Sequence, residues 1–477
     1  MTNQPKLLSV DLDGTLIKTD MLFETFWSSF SNDLLIPLKT LFAIFNGKAY
    51  LKEMLFNKST IDVKTLPYNQ EVIRYIYSHR SIGGKVALVT ATTQKLAEAI
   101  SEHLNLFDEV YGSTSLINLN GFAKANLQKK LFGERNFDYI GNSSADLPSW
   151  EISHKAITFN AGKFLQRNCE RLNNNTFHLS DTKKRSIIGP FLKEIRPYQW
   201  IKNILIFLPL IAAQNFDSTS FIQALFGFIA FSSTASSVYV FNDLLDIQAD
   251  RNHPKKCKRP FSAGDLSFGI GMTFGILILS IGIIFGYAVG KSFILILLTY
   301  YAITLSYSLY FKRKALVDIF ILAGLYTLRL LAGGVATNLN ISFWLLSFSL
   351  FIFLSLASIK RQSELIDIIN SGKTIANNRG YKVSDLNFIR TIAISSGLIS
   401  SLVLALYINS PKVLVLYSNP EMLWISCGLY LFWIIRVCFK TDRGEMEYDP
   451  IIFAFKDRIS NLIFGLIISL TIFSIIV

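Results

Sequence analysis

The sequence has little of what would tie it to several large classes of protein. Only 4 of its 477 residues are cysteine. Cys169, Cys257, Cys427 and Cys438 stand at no metal-ligand spacing and make no disulfide-like framework, which excludes a disulfide-stapled scaffold and fits a reducing compartment. No nucleic-acid motif accompanies the formal net charge of +13. The excess of cations therefore reads first as a membrane-topology signal, and no nucleic-acid partner is expected. The chain starts polar and runs straight into a strand-like stretch that ends at Val10, which reads as lacking a signal peptide. Long apolar runs are missing from the N-terminal third, whereas from about Ile187 stretches near the ~20-residue spanning length recur. At 51% hydrophobic over 477 residues, the chain is too long for one ordinary domain and too apolar to be wholly soluble.

In the N-terminal third, Leu7-Leu8-Ser9-Val10 reads as a buried strand that ends in Asp11-Leu12-Asp13-Gly14-Thr15. Two aspartates alternating off a strand tip place one carboxylate for attack on phosphorus and the next for proton transfer to the leaving oxygen, both near one Mg²⁺. This DxDGT run resembles the haloacid dehalogenase (HAD) phosphatase superfamily. The resemblance implies an α/β, Rossmann-type parallel sheet with a helical cap, spanning 1–161, with the cap at about 20–81. It makes Asp11 the nucleophile, Asp13 the acid and then base, and Asp11, Asp13 and Asp146 the holders of Mg²⁺. Thr90, ending the strand Lys85–Val89, matches the family's phosphate-binding hydroxyl, and Lys124 matches the lysine that offsets phosphate charge. In Gly141-Asn142-Ser143-Ser144-Ala145-Asp146, Asn142 departs from an aspartate usual in the family, and its neutral oxygen implies weaker metal affinity. The stripe Phe23, Phe26, Trp27 and Phe30 is expected as the cap's own core, and 162–186, with Asn173-Asn174-Asn175 and no periodicity, as a linker.

The remainder, 187–477, is expected to be an all-α polytopic membrane domain of about nine transmembrane helices, the first over 201–215. One stretch organises it: Asn242-Asp243-Leu244-Leu245-Asp246-Ile247-Gln248-Ala249-Asp250. Asp243, Asp246 and Asp250 at i, i+3 and i+7 share one helix face, and without a counter-ion their charges repel. Hard divalent cations carrying a phosphorylated ligand are their natural partners. Basic loops, among them Arg251 to Arg259, Lys312 to Lys314 and Lys360-Arg361, lie between alternate spans. By the positive-inside rule they place the soluble domain and the acidic helix end on the cytoplasmic side of the inner membrane. Arg329, deep within a span, is expected to face a polar cavity or an acidic partner.

The aspartate-rich stretch resembles the first such motif of the UbiA prenyltransferase superfamily, over about Pro190 to the C-terminus. The second motif of its aromatic-ring prenyltransferases is incomplete here, because Leu322 stands four residues after Asp318. Arg196-Pro197-x-Gln199-Trp200-x-Lys202-Asn203, Tyr307-Ser308-x-x-x-Lys312, Leu328-Arg329 and Lys360-Arg361-x-x-Glu364 look instead like the branch that transfers phosphoribose to polyprenyl phosphate. That resemblance implies Mg²⁺ on Asp243, Asp246 and Asp250, with Asp243 and Asp246 catalytic. Phosphate contacts would come from Lys202, Asn242, Lys312, Arg329, Lys360 and Arg361, with phosphoribosyl pyrophosphate and polyprenyl phosphate as substrates in the bilayer. The alternatives are a prenyl transfer from prenyl diphosphate to an aromatic or other acceptor, and a regulatory rather than catalytic HAD domain.

Overall fold

The computed structural model describes residues 6–115, 117–181, 187–215, 217–370, 380–446 and 449–476. They form two compact units, Met1–Ile195 with Tyr239–Gly275, and Arg196–Val238 with Ile276–Val477. The second segment of the first unit carries the aspartate-rich stretch.

The first unit is built on six strands: β1 (Leu7–Val10), β2 (Val86–Thr93), β3 (Glu109–Ser113), β4 (Phe137–Gly141), β5 (Lys155–Phe159) and β6 (Thr176–Leu179). Their spatial order is β3-β2-β1-β4-β5-β6, and every pairing is parallel. A strand covered on both faces reads as a continuous apolar run, and β1 and β2 do so: Leu8, Val10, Val86 and Leu88 are fully buried. In such sheets ligands gather at the carboxyl ends of the strands, which is where β1 delivers Asp11. This is the architecture that the dehalogenase resemblance implies.

Three helices, Met21–Asn32, Ile36–Phe45 and Lys48–Lys58, follow β1 as the cap. The next helix, Gln70–Ser81, buries Val72 and Ile76 in the cluster that holds Leu8, Val10 and Leu88. It is a crossover helix on the sheet, so the cap ends before residue 70 rather than at 81. The expected linker 162–186 also needs correction. Lys163–Leu172 is a helix and Thr176–Leu179 is β6, paired with β5. The polar look of this stretch comes from an edge strand and a half-exposed helix. Asn173 belongs to the interior, donating to the carbonyls of Trp150 at 2.8 Å and Ser153 at 2.9 Å.

The aromatic stripe of the first cap helix also has partners that its own neighbourhood in the sequence does not contain. Trp27 packs with Val240, Leu244, Ile247, Phe261, Leu266 and Phe268, and Phe23, Phe26 and Phe30 flank the same cluster. Beside it the Arg251 guanidinium pairs with both carboxylate oxygens of Glu24, at 3.0 and 2.5 Å, and donates to Ser262 O at 3.1 Å. Both side chains are buried.

The second unit is helical. Among the described residues of the whole chain, eight helices are long and apolar enough to cross a membrane: Ser218–Leu245, Phe268–Val289, Lys291–Leu309, Val317–Thr337, Phe343–Asn370, Val383–Ile408, Met422–Asp442 and Arg458–Ile475. The stretch expected as the first span, 201–215, is not one continuous helix. It is a 3₁₀ segment, Pro197–Phe207, followed by the short helix Leu208–Ala212. Pro209, in the middle of the stretch, supplies no backbone N–H for a continuous helical ladder across it. Gly333 lets helix Val317–Thr337 pass against this segment, since a Cβ there would lie 2.2 Å from Ile206 O.

Candidate active sites

The first site lies at the tip of β1. The Asp11 N–H donates to Ile140 O at 3.0 Å, which ties the end of β1 to β4. Gly14 has φ +72°, and the space a Cβ would need there is taken by the Asn142 amide, 2.1 Å away. A side chain at residue 14 would be strained by φ and blocked by Asn142. Lys124 Nζ stands between two carboxylates, 2.6 Å from Asp11 Oδ1 and 3.2 Å from Asp146 Oδ1. Asp13 Oδ1 accepts from Met21 N at 2.7 Å, and its Oδ2 from Thr92 Oγ1 at 3.0 Å.

Charge in this site follows from burial. Desolvation raises the Asp11 carboxyl to about 6 against the opposing pull of Lys124. It raises Asp13 to about 7, with the Asp20 and Asp11 charges adding to it. Burial would raise Asp146 too, but Lys124 and the hydrogen bonds from Tyr139, Ser143 and Asn142 leave it lowered. For Lys124 burial opposes the charged form, yet Asp11 and Asp146 more than offset it and raise its pKa. An acid near 7 is suited to giving up a proton and taking it back at neutral pH. Asp13 is that acid.

The oxygens present fit a hard cation only in part. Among the described residues no group of three or more His, Cys, Asp or Glu side chains is arranged as a metal cage. Asp146 is engaged on every side: Oδ1 accepts from Tyr139 OH and Lys124, and Oδ2 from the N–H groups of Asn142 and Ser143 and from Ser143 Oγ. It holds Lys124 and the 141–146 loop. Asp11 Oδ2, by contrast, accepts from Thr15 Oγ1 at 3.3 Å. With the neighbouring Asn142 amide it offers the oxygen donors that Mg²⁺ prefers.

Thr90 is buried and does not line the cavity above Asp11; its hydroxyl accepts from Thr92 N at 3.0 Å. Thr92 lines that cavity instead. Lys52, on the third cap helix, was not singled out from the sequence. It also lines the cavity, donating to Ala91 O at 2.5 Å and Asn118 Oδ1 at 2.9 Å, and burial lowers its pKa. The signal for it was the spacing of Lys48 and Lys52, four apart on one helix face.

The aspartate-rich stretch forms the second site. Helix Ser218–Leu245 ends just before Asp246, and a short helix, Ile247–Arg251, follows. The three carboxylates are therefore spread over a helix break rather than along one straight face. Asp243 and Asp250 are buried and Asp246 is half-buried. Arg259 bridges the two buried acids, with Nη1 3.0 Å from Asp243 Oδ1 and in hydrogen-bond contact with Asp250 Oδ2. Burial raises Asp250 to about 6 in spite of Arg259. Asn242 Oδ1 is buried with no hydrogen-bond partner among the described residues, as are both amide atoms of Gln248. Among the described residues the three aspartates are not gathered into a metal cage, and the cation between Asp243 and Asp250 is the Arg259 guanidinium, with the unpartnered Asn242 oxygen on the same stretch. Arg259, which reads in the sequence as one more topology cation, is part of this site.

In the second unit the expected phosphate-binding cations differ in how they are engaged. Lys202 and Lys360 share one carboxylate, at 2.8 and 3.1 Å from Asp449 Oδ2. Burial would raise the Asp449 carboxyl, but the two ammonium groups hold it well below the usual range. Arg361 is enclosed by Asp318, Glu364 and Tyr307, and Tyr381 OH donates to the other oxygen of Asp318. Arg329 donates to Asn203 Oδ1 at 2.8 Å, Tyr300 OH at 3.0 Å and Leu325 O at 2.6 Å, tying helices rather than facing an acid. Lys312 lies in a single 3₁₀ turn, Phe311–Arg313.

A HAD-like parallel sheet joined in one chain to eight helices apolar and long enough to cross a membrane, among the described residues, defines a multi-pass membrane protein of the transferase and phosphatase type. The UbiA prenyltransferase family model matches residues 204–455, and the chain belongs to that family. It is 35% identical over 464 residues, 97% of this chain and 90% of the relative, to an uncharacterized protein, y4nM, of Sinorhizobium fredii. It is 33% identical over 236 residues, 47% of this chain and 71% of the relative, to decaprenyl-phosphate phosphoribosyltransferase of Corynebacterium glutamicum. Among solved structures, a UbiA homolog from Archaeoglobus fulgidus bound to GPP and Mg²⁺ covers 59% of this chain and 99% of its own, at 16% identity and TM-score 0.45.

Proposed function

We propose that this chain is a bifunctional, Mg²⁺-dependent enzyme of the inner membrane. Its membrane part transfers 5-phosphoribose from phosphoribosyl pyrophosphate to polyprenyl phosphate, and its HAD domain removes the 5-phosphate from the lipid product. Both sites face the cytoplasm, where the donor is soluble. The observation that carries the transferase reading is the state of Asp318. It is fully buried and bonded by Arg361 and Tyr381, so the acid that would begin a second aspartate-rich motif is engaged within the fold. One acidic motif suits a single diphosphate, carried on the ribose donor, and the likeness to the phosphoribosyltransferase of C. glutamicum points the same way.

Mg²⁺, when bound, neutralises the donor pyrophosphate and favours its departure. Asp243, Asp246 and Asp250 would hold it, and Asn242 would offer a neutral oxygen beside them. A lipid phosphate oxygen attacks the anomeric carbon as the carbon–pyrophosphate bond breaks. Lys202 and Lys360, two ammonium groups on one carboxylate, are the candidates that keep positive charge for a phosphate. In the HAD domain Asp11 attacks phosphorus while Asp13 protonates the leaving ribose oxygen. Asp13 then takes a proton from the water that cleaves the aspartyl phosphate. Lys124 holds Asp11 in position. Tethering the two sites on one chain raises the local concentration of the intermediate.

Membranes supplied with labelled phosphoribosyl pyrophosphate and, separately, labelled prenyl diphosphate test the donor. Label enters lipid from the first in the wild type and not in Asp243→Ala. Consumption of the prenyl donor alone overturns this reading in favour of prenyl transfer.

A further inference from the structure

The cap helix Ile36–Phe45 reads Ile-Pro-Leu-Lys-Thr-Leu-Phe-Ala-Ile-Phe, with Lys39 its only charge. Its inner face is accounted for: Ile36 and Ala43 pack on Leu51 and Leu55 within the cap. Its outer face is not. Leu38 is 54% exposed, Leu41 59%, Phe42 72% and Phe45 89%. These positions recur at i, i+3, i+4 and i+7, a single stripe along the helix. A contiguous apolar stripe of this kind on a soluble domain marks an interaction surface.

What covers it follows from the cavity it borders. The space above the phosphatase site is about 1300 Å³. Asp11, Asp13 and Lys124 line its polar part. Ile44 of the cap helix lines it as well, together with Ile270 and Phe274. The last two lie in the first turns of Phe268–Val289, a helix long and apolar enough to cross a membrane and part of the same compact unit up to Gly275. One wall of the phosphatase cavity is therefore the entering end of a membrane span, and the exposed stripe belongs to the helix beside it. Lys48, just past the helix, lines the cavity too and is exposed, a cation suited to anionic head groups.

We propose that the helix Ile36–Phe45 lies in the lipid interface and sets the mouth of the Asp11 cavity on the bilayer, so that the phosphatase takes phosphate monoesters borne on a membrane lipid. The substrate half of this proposal rests on the phosphatase reading above; the bilayer contact does not. A water-soluble ester gains nothing from an apolar wall, whereas a lipid-borne one slides its first isoprenoid or acyl carbons along Ile270 and Phe274 while its phosphate reaches Asp11.

The test uses the full chain in nanodiscs of phosphatidylglycerol and phosphatidylcholine. Phe42 is replaced by photoreactive benzoylphenylalanine and, as a control, so is Tyr77, exposed on the crossover helix. Irradiation is expected to give lipid adducts at position 42 and none at 77; adducts at 42 to protein alone overturn the bilayer contact. In parallel, the double variant Phe42→Asp, Phe45→Asp is assayed on 5-phosphoribosyl polyprenyl phosphate in the disc and on soluble para-nitrophenyl phosphate. Turnover of the lipid ester is expected to fall about tenfold, with the soluble ester within about twofold of the wild type. An equal fall on both esters, or on neither, overturns the substrate half. Absence of phosphate release from either ester by the wild type overturns the phosphatase reading itself, and the adducts at position 42 still decide the bilayer contact.

Discussion

The two acidic sites of the first unit solve the same electrostatic problem in different ways. At the tip of β1, buried carboxylates are fixed by donors already in place. Asp146 is surrounded by five of them, and Lys124 closes the gap to Asp11. At the aspartate-rich helix end one guanidinium, Arg259, bridges Asp243 and Asp250, while Asn242 Oδ1 has no hydrogen-bond partner among the described residues. A site that forms a covalent bond to its own side chain needs a nucleophile held at fixed range and angle. On the proposed function, the second site would exchange one counter-ion for another when a metal arrives with its diphosphate. The first is preorganised, and the second is poised.

Four changes would break or sharpen that contrast. The largest effect is expected from Asp11→Asn, which removes the nucleophile and lowers phosphate release by at least about 10³-fold with an unchanged thermal midpoint; residual turnover near wild type would mean that the tip of β1 does not carry the chemistry. Next is Glu24→Ala, which leaves Arg251 buried without its carboxylate beside the aspartate-rich stretch. Breaking a buried pair in this way costs about 3–5 kcal/mol, read as a fall in the unfolding midpoint of the detergent-solubilised chain. Asn142→Asp adds a charged oxygen at the phosphatase site. The Mg²⁺ concentration for half-maximal phosphate release is expected to fall about tenfold, and no change would remove residue 142 from the metal's surroundings. The smallest effect belongs to Arg259→Ala. With the resident counter-ion gone, half-saturating Mg²⁺ for the transferase should fall about threefold; a rise would make Arg259 a ligand of the substrate rather than a stand-in for the cation.

Much of the first site was legible because it is local. Val10, Asp11, Asp13 and Gly14 are set by one strand and one turn, and that pattern survives in any reading of the chain. Lys124 and Asp146 were legible only through the family resemblance, since more than a hundred residues separate them from Asp11. Other features were hidden for reasons that are equally physical. β6 is a short edge strand whose half-exposed residues carry no apolar run, so 162–186 looked like a linker. Trp27 looked like the core of its own cap because its partners, Leu244 and Phe261, lie more than two hundred residues on. Arg259 was hidden by context: in a basic loop beside a span, a cation that neutralises two aspartates is indistinguishable from one that only orients the helix.

The coupling of the two sites is read most directly from the lipid products of one experiment. Membranes carrying the wild type, Asp243→Ala or Asp11→Asn are given labelled phosphoribosyl pyrophosphate with polyprenyl phosphate, and the labelled lipids are separated. The wild type should yield ribosyl lipid, Asp243→Ala no labelled lipid, and Asp11→Asn the 5-phosphate form in its place. Ribosyl lipid without its phosphate in the Asp11→Asn membranes, at the wild-type rate, would contradict the coupling of the two sites.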